Sequence, residues 1–204
     1  MVLSSIRQSA NIKEEYPQYL NDESGIVKDG NADVIFFPKS ASEVQQIIES
    51  SNEMSVPFTV SGGGTGISGG RVPHGGWIIA TDDMKTIENP STEWTDQETG
   101  IHYSYNLQEI DQEHAEITIP IAITLKSLQN LCRELDWFYP VDPTERSSFL
   151  GGNIATNASG ARTFKFGTTR QWVKSLDVLL PNAERIKLNR DGDEHELLSS
   201  SIII

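Results

Sequence analysis

Apolar residues fall in short clusters separated by polar turns, and their spacing predicts a mixed order of helices and strands. Val34-Ile35-Phe36-Phe37 is a continuous apolar run closed by Pro38, the pattern of a short strand buried on both faces. Ser40 precedes Glu43 at capping-box spacing, and Val44, Ile47, Ile48 and Met54 share a helical face, which predicts a helix over 41–54. Phe58-Thr59-Val60 and Trp77-Ile78-Ile79-Ala80 read as strands on either side of a glycine-rich stretch. His102 to Leu107 and Ala115 to Pro120 are β-rich and flank an acidic turn containing Glu109, Asp111 and Glu113. Thr124 can cap a helix with Leu125, Leu128, Leu131, Cys132 and Leu135 on one face, and Leu176 to Leu180 and Ile186 to Leu188 are further strands. Residues 1–32, with Pro17, Gly25 and Gly30, read as a helix-and-loop lead-in, and the polar stretch 88–100 as a surface loop at a subdomain boundary. The domain division expected is therefore 1–32, 33–97 and 98–204.

Charge narrows the chemistry. The 204 residues carry 29 Asp and Glu against 16 Lys and Arg, a net charge of −13, which repels polyanions and anionic membranes and points to a small-molecule ligand rather than nucleic acid. The acid is unevenly spread: the charged residues of 82–116 are all acidic except Lys85, whereas bases outnumber acids over 117–190. A single Cys132 excludes an intrachain disulfide and any cysteine-based metal cluster, and with no transmembrane run and no basic-then-apolar leader the expected compartment is cytoplasmic. His74, His102, His114 and His195 show no metal-ligand spacing, so no metal site is expected and the four are placed at the surface.

Half of the glycines lie between Gly62 and Gly76. Gly64, Gly66 and Gly69 satisfy GxGxxG, but the dinucleotide loop must open a helix, and Pro73, Gly75 and Gly76 forbid one here. A P-loop needs lysine after its last glycine, where Gly70 stands, and Ser68 fits GxSxG without the strand-turn-helix a nucleophile elbow requires. What remains is a strand-loop-strand able to form a backbone nest, in which successive N–H groups converge on an anion such as a pyrophosphate without Lys or Arg. The plainer alternative is a flexible glycine hairpin without a ligand. A second stretch, Pro140 to Arg146 followed by Gly151 to Arg162 and Phe166 to Arg170, is rich in small polar residues that would let an extended ligand lie on the backbone; its plainer alternative is a tightly packed loop and helix. Arg162 and Arg170 can steer an anionic substrate or cofactor, or simply pack, and Arg146 has no stronger claim.

Together the two stretches resemble the flavin-binding half of the oxidoreductase family that contains vanillyl-alcohol oxidase and para-cresol methylhydroxylase, in particular its glycolate oxidase and D-lactate dehydrogenase branch. The similarity runs over about residues 16–190: Tyr19 and Asp22-Glu23-Ser24 match the leading segment, Val34 to Pro38 the first strand, Ser61 to Pro73 the pyrophosphate loop, and Pro140 to Thr144 with Gly151 to Gly167 the second flavin segment. The resemblance implies an α+β fold of two α/β subdomains with FAD extended between them, the pyrophosphate on Gly62, Gly63, Gly64, Thr65, Gly66 and Ser68. Pro143, Thr144, Gly151, Gly152, Thr156, Asn157, Ser159 and Gly160 would line the rest of the site. Some family members tether the flavin through a histidine in this loop; Thr65 stands there, so dissociable FAD is implied. The resemblance also implies oxidation of a 2-hydroxy acid such as glycolate or D-lactate, with electrons passed to an acceptor. The family's cap and metal- or base-bearing histidines lie in further sequence beyond a chain of this length, so no catalytic residue is assigned, and the other expectation is a non-catalytic flavin-binding module that self-associates or joins a partner subunit. The peptidoglycan-precursor reductase branch of the same superfamily fits Ala155 to Gly160 less well.

Overall fold

The computed structural model describes residues 3–25 and 30–190; the acidic tail with His195 lies outside the described residues. The chain opens with a short strand β1 (Arg7–Ser9) and a single helical turn α1 (Ile12–Glu15), and continues through β2 (Val34–Phe37), α2 (Ala41–Met54), β3 (Phe58–Ser61) and β4 (Trp77–Ala80). These strands form one sheet in the order β1-β2-β4-β3, with β2, β4 and β3 parallel and β1 antiparallel at the edge. The sheet is apolar on both faces because its central strands are covered twice. Phe36, Trp77 and Ile79 pack with Ile47 and Ile48 of α2, while Ile35, Phe37, Ile78 and Ala80, one residue out of phase, pack with Ile12, Tyr19 and Leu20. Burying each such side chain stabilises the fold by about 1.5–3 kcal/mol. Ser40 Oγ accepts the Glu43 N–H at 3.3 Å and starts α2, while Glu43 Oε2 accepts the Lys39 N–H rather than that of Ser40, so the capping box is only half formed.

A second sheet follows. β5 (Thr92–Thr95), β6 (His102–Glu109) and β7 (Ala115–Thr118) are antiparallel neighbours in that order. They share a core with α3 (Leu125–Glu134) and α4 (Leu150–Ala155), in which Tyr103, Ile123, Leu128 and Cys132 are buried and Trp94, Trp137, Tyr139 and Leu150 close the edges. Thr124 Oγ1 accepts the Ser127 N–H at 3.0 Å and starts α3 as its sequence predicted. After the short turn α5 (Thr163–Phe166), a hairpin of β8 (Ser175–Leu179) and β9 (Arg185–Asn189) returns to the first core, where Leu179 and Ala183 join the α2 face and Asn52 Nδ2 donates to Pro181 O at 2.8 Å.

Two expectations are corrected. The polar stretch 88–100 is not all loop: Thr92–Thr95 is an edge strand, held by pairing with Tyr105 to His102 and by Trp94 stacked on Tyr103 at 6.2 Å. Its outward side chains are polar because an edge strand buries one side, so composition mimics a loop. The lead-in likewise contributes an edge strand, with Arg7, Gln8 and Ser9 opposite Phe37, Phe36 and Ile35. The α+β class holds. His74, His102 and His114 are exposed as expected. Among the described residues no helix is long and apolar enough to cross a membrane.

Candidate functional site

β3 and β4 pair in parallel, Phe58 opposite Trp77 and Ser61 opposite Ala80. Residues 62–76 therefore cannot form a hairpin; they must travel back along the strands, and they do so as a crossover without a helix. This rules out a hairpin path for the stretch and fits its glycine density, since a helix-free crossover turns sharply at several points. Gly64 and Gly69 have left-handed φ values of 82° and 78°.

The far limb of this loop is strapped by the N-terminal segment. The Glu23 N–H donates to Gly66 O at 3.1 Å, the Gly69 N–H to Asp22 Oδ2 at 2.6 Å, the Asn31 N–H to Pro73 O at 3.0 Å, and the Gly75 N–H to Asn31 O at 2.8 Å. Burial pushes the Asp22 carboxyl up, but hydrogen bonds from Ser24 and from the Gly69 amide outweigh it and hold the group below its ordinary value. The near limb is different. Among the described residues, the amides from Gly63 to Ser68 meet no protein acceptor. Six consecutive backbone donors thus have no protein acceptor, as a backbone anion nest would require.

Beneath the loop lies a polar cluster that sequence reading missed. The Arg71 guanidinium packs directly behind Gly64 and sits 5.1 Å from the centre of the Tyr19 ring, and its Nε is buried without a hydrogen-bond partner. Burial lowers the Arg71 pKa, against the opposing pull of Asp82, Tyr19 and Asp22. Burial raises Asp82 and Tyr19, the latter also through the charge of Asp82. Arg71 is the only Lys or Arg between Lys39 and Lys85, a signal available in the sequence.

The second segment meets the first at Gly63. A Cβ on Gly63 would lie 3.3 Å from both the Phe149 ring and its backbone nitrogen, so the glycine loop rests on the start of α4. Gly151 packs against Ile121, whereas Gly152 is exposed. Thr156 Oγ1 donates back to Gly152 O at 2.9 Å, and Asn157, at φ 50°, accepts the Arg170 N–H at 3.0 Å. Pro143 is buried and bridges to Gly160, whose missing side chain lets it press against Asp142 O. Thr144 and Ser159 are exposed and make no hydrogen bond to the glycine loop among the described residues. Asn153, omitted from the sequence-predicted set, is 5% exposed and leaves its Nδ2 without a partner. Arg162 and Arg146 both pair with Asp142, at 3.6 and 3.4 Å, and Arg162 also covers the Phe138 ring, so both side chains have structural partners. A shallow depression lined by Glu109, Ile110, Asp111, Gln112 and Trp137 involves none of these residues.

Gly62, Gly66 and Gly152 share one property. A Cβ at any of them would meet nothing within 4 Å, and none has a left-handed φ. The fold therefore does not require glycine there. A ligand lying on the backbone would.

A family model described as an FAD binding domain matches residues 32–102 and 95–189. A D-lactate dehydrogenase of Anaerostipes hadrus is 32% identical over 171 residues, covering 83% of this chain and 32% of its own. A D-2-hydroxyglutarate dehydrogenase of Xanthomonas citri is 33% identical over 156 residues, 76% of this chain and 29% of its own. The chain thus spans about a third of the length of these curated relatives. Among solved structures, a chitooligosaccharide oxidase superposes over 92% of this chain and 36% of its own with a TM-score of 0.69 at 15% identity, a likeness of fold.

Proposed function

Because this chain belongs to the FAD binding domain family, we propose that it is the flavin-binding part of an oxidoreductase that oxidises a 2-hydroxy acid, with FAD held without a covalent bond. The observation that carries this reading is the set of glycines, Gly62, Gly66 and Gly152, whose missing side chains face open space without structural need. The residues fit the cofactor chemically. Unpaired amides from Gly63 to Ser68 suit a pyrophosphate, and the orphaned donors of Arg71 and Asn153, one in each segment, suit an acceptor-rich ligand spanning both. Gly62, Gly63, Gly64, Thr65, Gly66 and Ser68 would hold the pyrophosphate, and Pro143, Thr144, Gly151, Gly152, Thr156, Asn157, Ser159 and Gly160 the remainder. Bound FAD would supply the hydride acceptor. D-Lactate and D-2-hydroxyglutarate, named by the two relatives, are both 2-hydroxy acids, which supports that substrate class.

None of these contact residues titrates near neutral pH, so their work is binding and orientation. That favours a second reading for this stretch on its own: a flavin-binding module that does not turn over substrate. Flavin reduction by anaerobic D-lactate or glycolate separates the two, since bleaching requires a working proton acceptor as well as bound FAD.

The test of the site is a pair of alanine substitutions followed by FAD titration and thermal melting. Gly66→Ala and Gly152→Ala should each leave stability within about 0.5 kcal/mol of the parent and weaken FAD binding by roughly tenfold or more, because the methyl group enters ligand space rather than protein. Alanine variants that bind FAD as the parent does would overturn the assignment. Thr65, with no histidine between Gly62 and His74, supports dissociable flavin, so acid precipitation should leave all the yellow colour in the supernatant. Colour in the pellet would refute that part.

A further inference from the structure

Arg71 is in an unusual position for a charged residue. It is half-buried, with its guanidinium behind Gly64 and 5.1 Å from the centre of the Tyr19 ring, a buried Nε without a partner, and no ion pair within 4.0 Å among the described residues. The charged or titratable groups around it are Asp82, Asp22 and Tyr19. Asp82 is itself partly buried and leaves Oδ2 without a partner, while Asp22 is engaged by Ser24 and the Gly69 amide. A half-buried cation without a close counter-charge gains from an anion brought beside it. The guanidinium stands against Gly64, within the run of residues 63–68 whose amides meet no protein acceptor. The chain is strongly acidic, and Arg71 is the one Lys or Arg from residue 40 to residue 84.

We propose that Arg71 is the charge-supplying and positioning residue of the anion site, seated behind Gly64 so that its guanidinium favours a pyrophosphate held by the loop's backbone amides. The inference rests on the flavin reading above and deepens it at one side chain. Its physical basis is that backbone amides alone discriminate weakly between a dianion and a neutral polar group, whereas a low-dielectric cation a few ångströms behind them adds attraction that salt screens only partly. Guanidinium suits the place better than ammonium, because its delocalised charge lies over the Tyr19 ring at 5.1 Å and it tolerates weaker hydration.

The test uses the full chain and its Arg71→Gln and Arg71→Lys variants, titrated with FAD, with ADP as a pyrophosphate without flavin, and with riboflavin as a flavin without phosphate, at low and high salt. Arg71→Gln should weaken FAD and ADP by about tenfold, flatten their salt dependence, and leave riboflavin affinity unchanged. Arg71→Lys, which keeps the charge but not the planar guanidinium, should fall between. Equal FAD and ADP affinity and equal salt slopes in Arg71→Gln and the parent would overturn the role of Arg71 alone, as would a parallel loss of riboflavin binding, which marks Arg71 as a mere brace. A parent chain that binds neither FAD nor ADP would overturn the flavin reading and this inference with it. If Arg71→Gln does not fold, the parent decides: ADP affinity that weakens with salt supports the charge, and affinity indifferent to salt refutes it.

Discussion

At the scale of single residues, the site is a study in which glycines the fold needs and which it does not. Gly160 is needed, because its Cα bridges to Pro143 and any Cβ would overlap the Asp142 carbonyl, an atom the backbone cannot easily move. Gly160→Ala should therefore destabilise the chain by about 2 kcal/mol or more and lower its thermal midpoint in the absence of any ligand. Gly152→Ala, eight positions earlier in the same segment, should not, and a matched pair of melting curves checks the contrast. If Gly160→Ala melts with the parent, the close packing of Pro143 and Gly160 is not a stabilising feature. Density of glycine is visible in a sequence, but this distinction is not, since it depends on what stands opposite each Cα. Arg71 and Asn153 escaped notice for a related reason. Both sit among small residues, and only burial without a partner sets them apart.

At the scale of elements, the central strands and the long helices were legible because their apolar patterns are strong: both faces of β2 and β4 are covered, and α2 and α3 are amphipathic and capped. The edge strands β1 and β5 were not, because a strand paired on one side and wet on the other carries polar residues. Nor does periodicity reveal strand direction. Parallel pairing of β3 with β4 is what turns residues 62–76 from a hairpin into a crossover, and the straps from Asp22, Glu23 and Asn31 then fix its far limb. Asp22 is the charged strap. Its carboxylate pKa lies below the ordinary 3.8, so the native state binds the deprotonated form more tightly than the unfolded chain does. The stabilisation is fully present above the unfolded pKa and is lost as pH falls through the folded one. Asp22→Asn should accordingly loosen the loop at neutral pH, with a cost of about 1 kcal/mol and faster hydrogen exchange at the Gly69 amide. In the parent, the same amide should keep its protection at neutral pH and lose it only below pH about 4. Unchanged exchange in the variant would show that Asp22 does not restrain the loop.

At the scale of the whole molecule, charge and packing divide differently. The acid concentrates over 82–116, while the base-rich stretch 117–190 contains the second glycine segment, so an acidic protein still offers a locally tolerant surface for an anionic cofactor. The cores do not follow chain order as simply: β8 and β9 come last among the described elements yet pack on α2, through Leu179 and Ala183, and Arg185 forks onto Glu88 at 2.8 and 3.0 Å. The core between the second sheet and α3 gives the molecule an alkaline weakness. Burial pushes the Cys132 thiol up from 9.0 to about 11, and burial, with Cys132 nearby, pushes Tyr139 up from 10.0 to about 12. Both groups are neutral when protonated, so the raised values mean that the folded chain retains protons the unfolded chain has released. Stability contributed by the neutral forms is complete below the unfolded pKa values and falls as pH rises through the interval to the folded ones. For Cys132 that interval runs from 9.0 to about 11, with a cumulative loss on the order of 2 kcal/mol. Urea unfolding midpoints should hold steady up to the lower edge of this window and decline across it. Cys132→Ala should start lower, because it opens a small cavity in the core, but decline less steeply, with Tyr139 accounting for the remaining slope. Iodoacetamide provides an independent reading: native Cys132 should label far more slowly than the same thiol in urea at equal pH, and equal rates would show that the thiol is not held neutral and enclosed by this core.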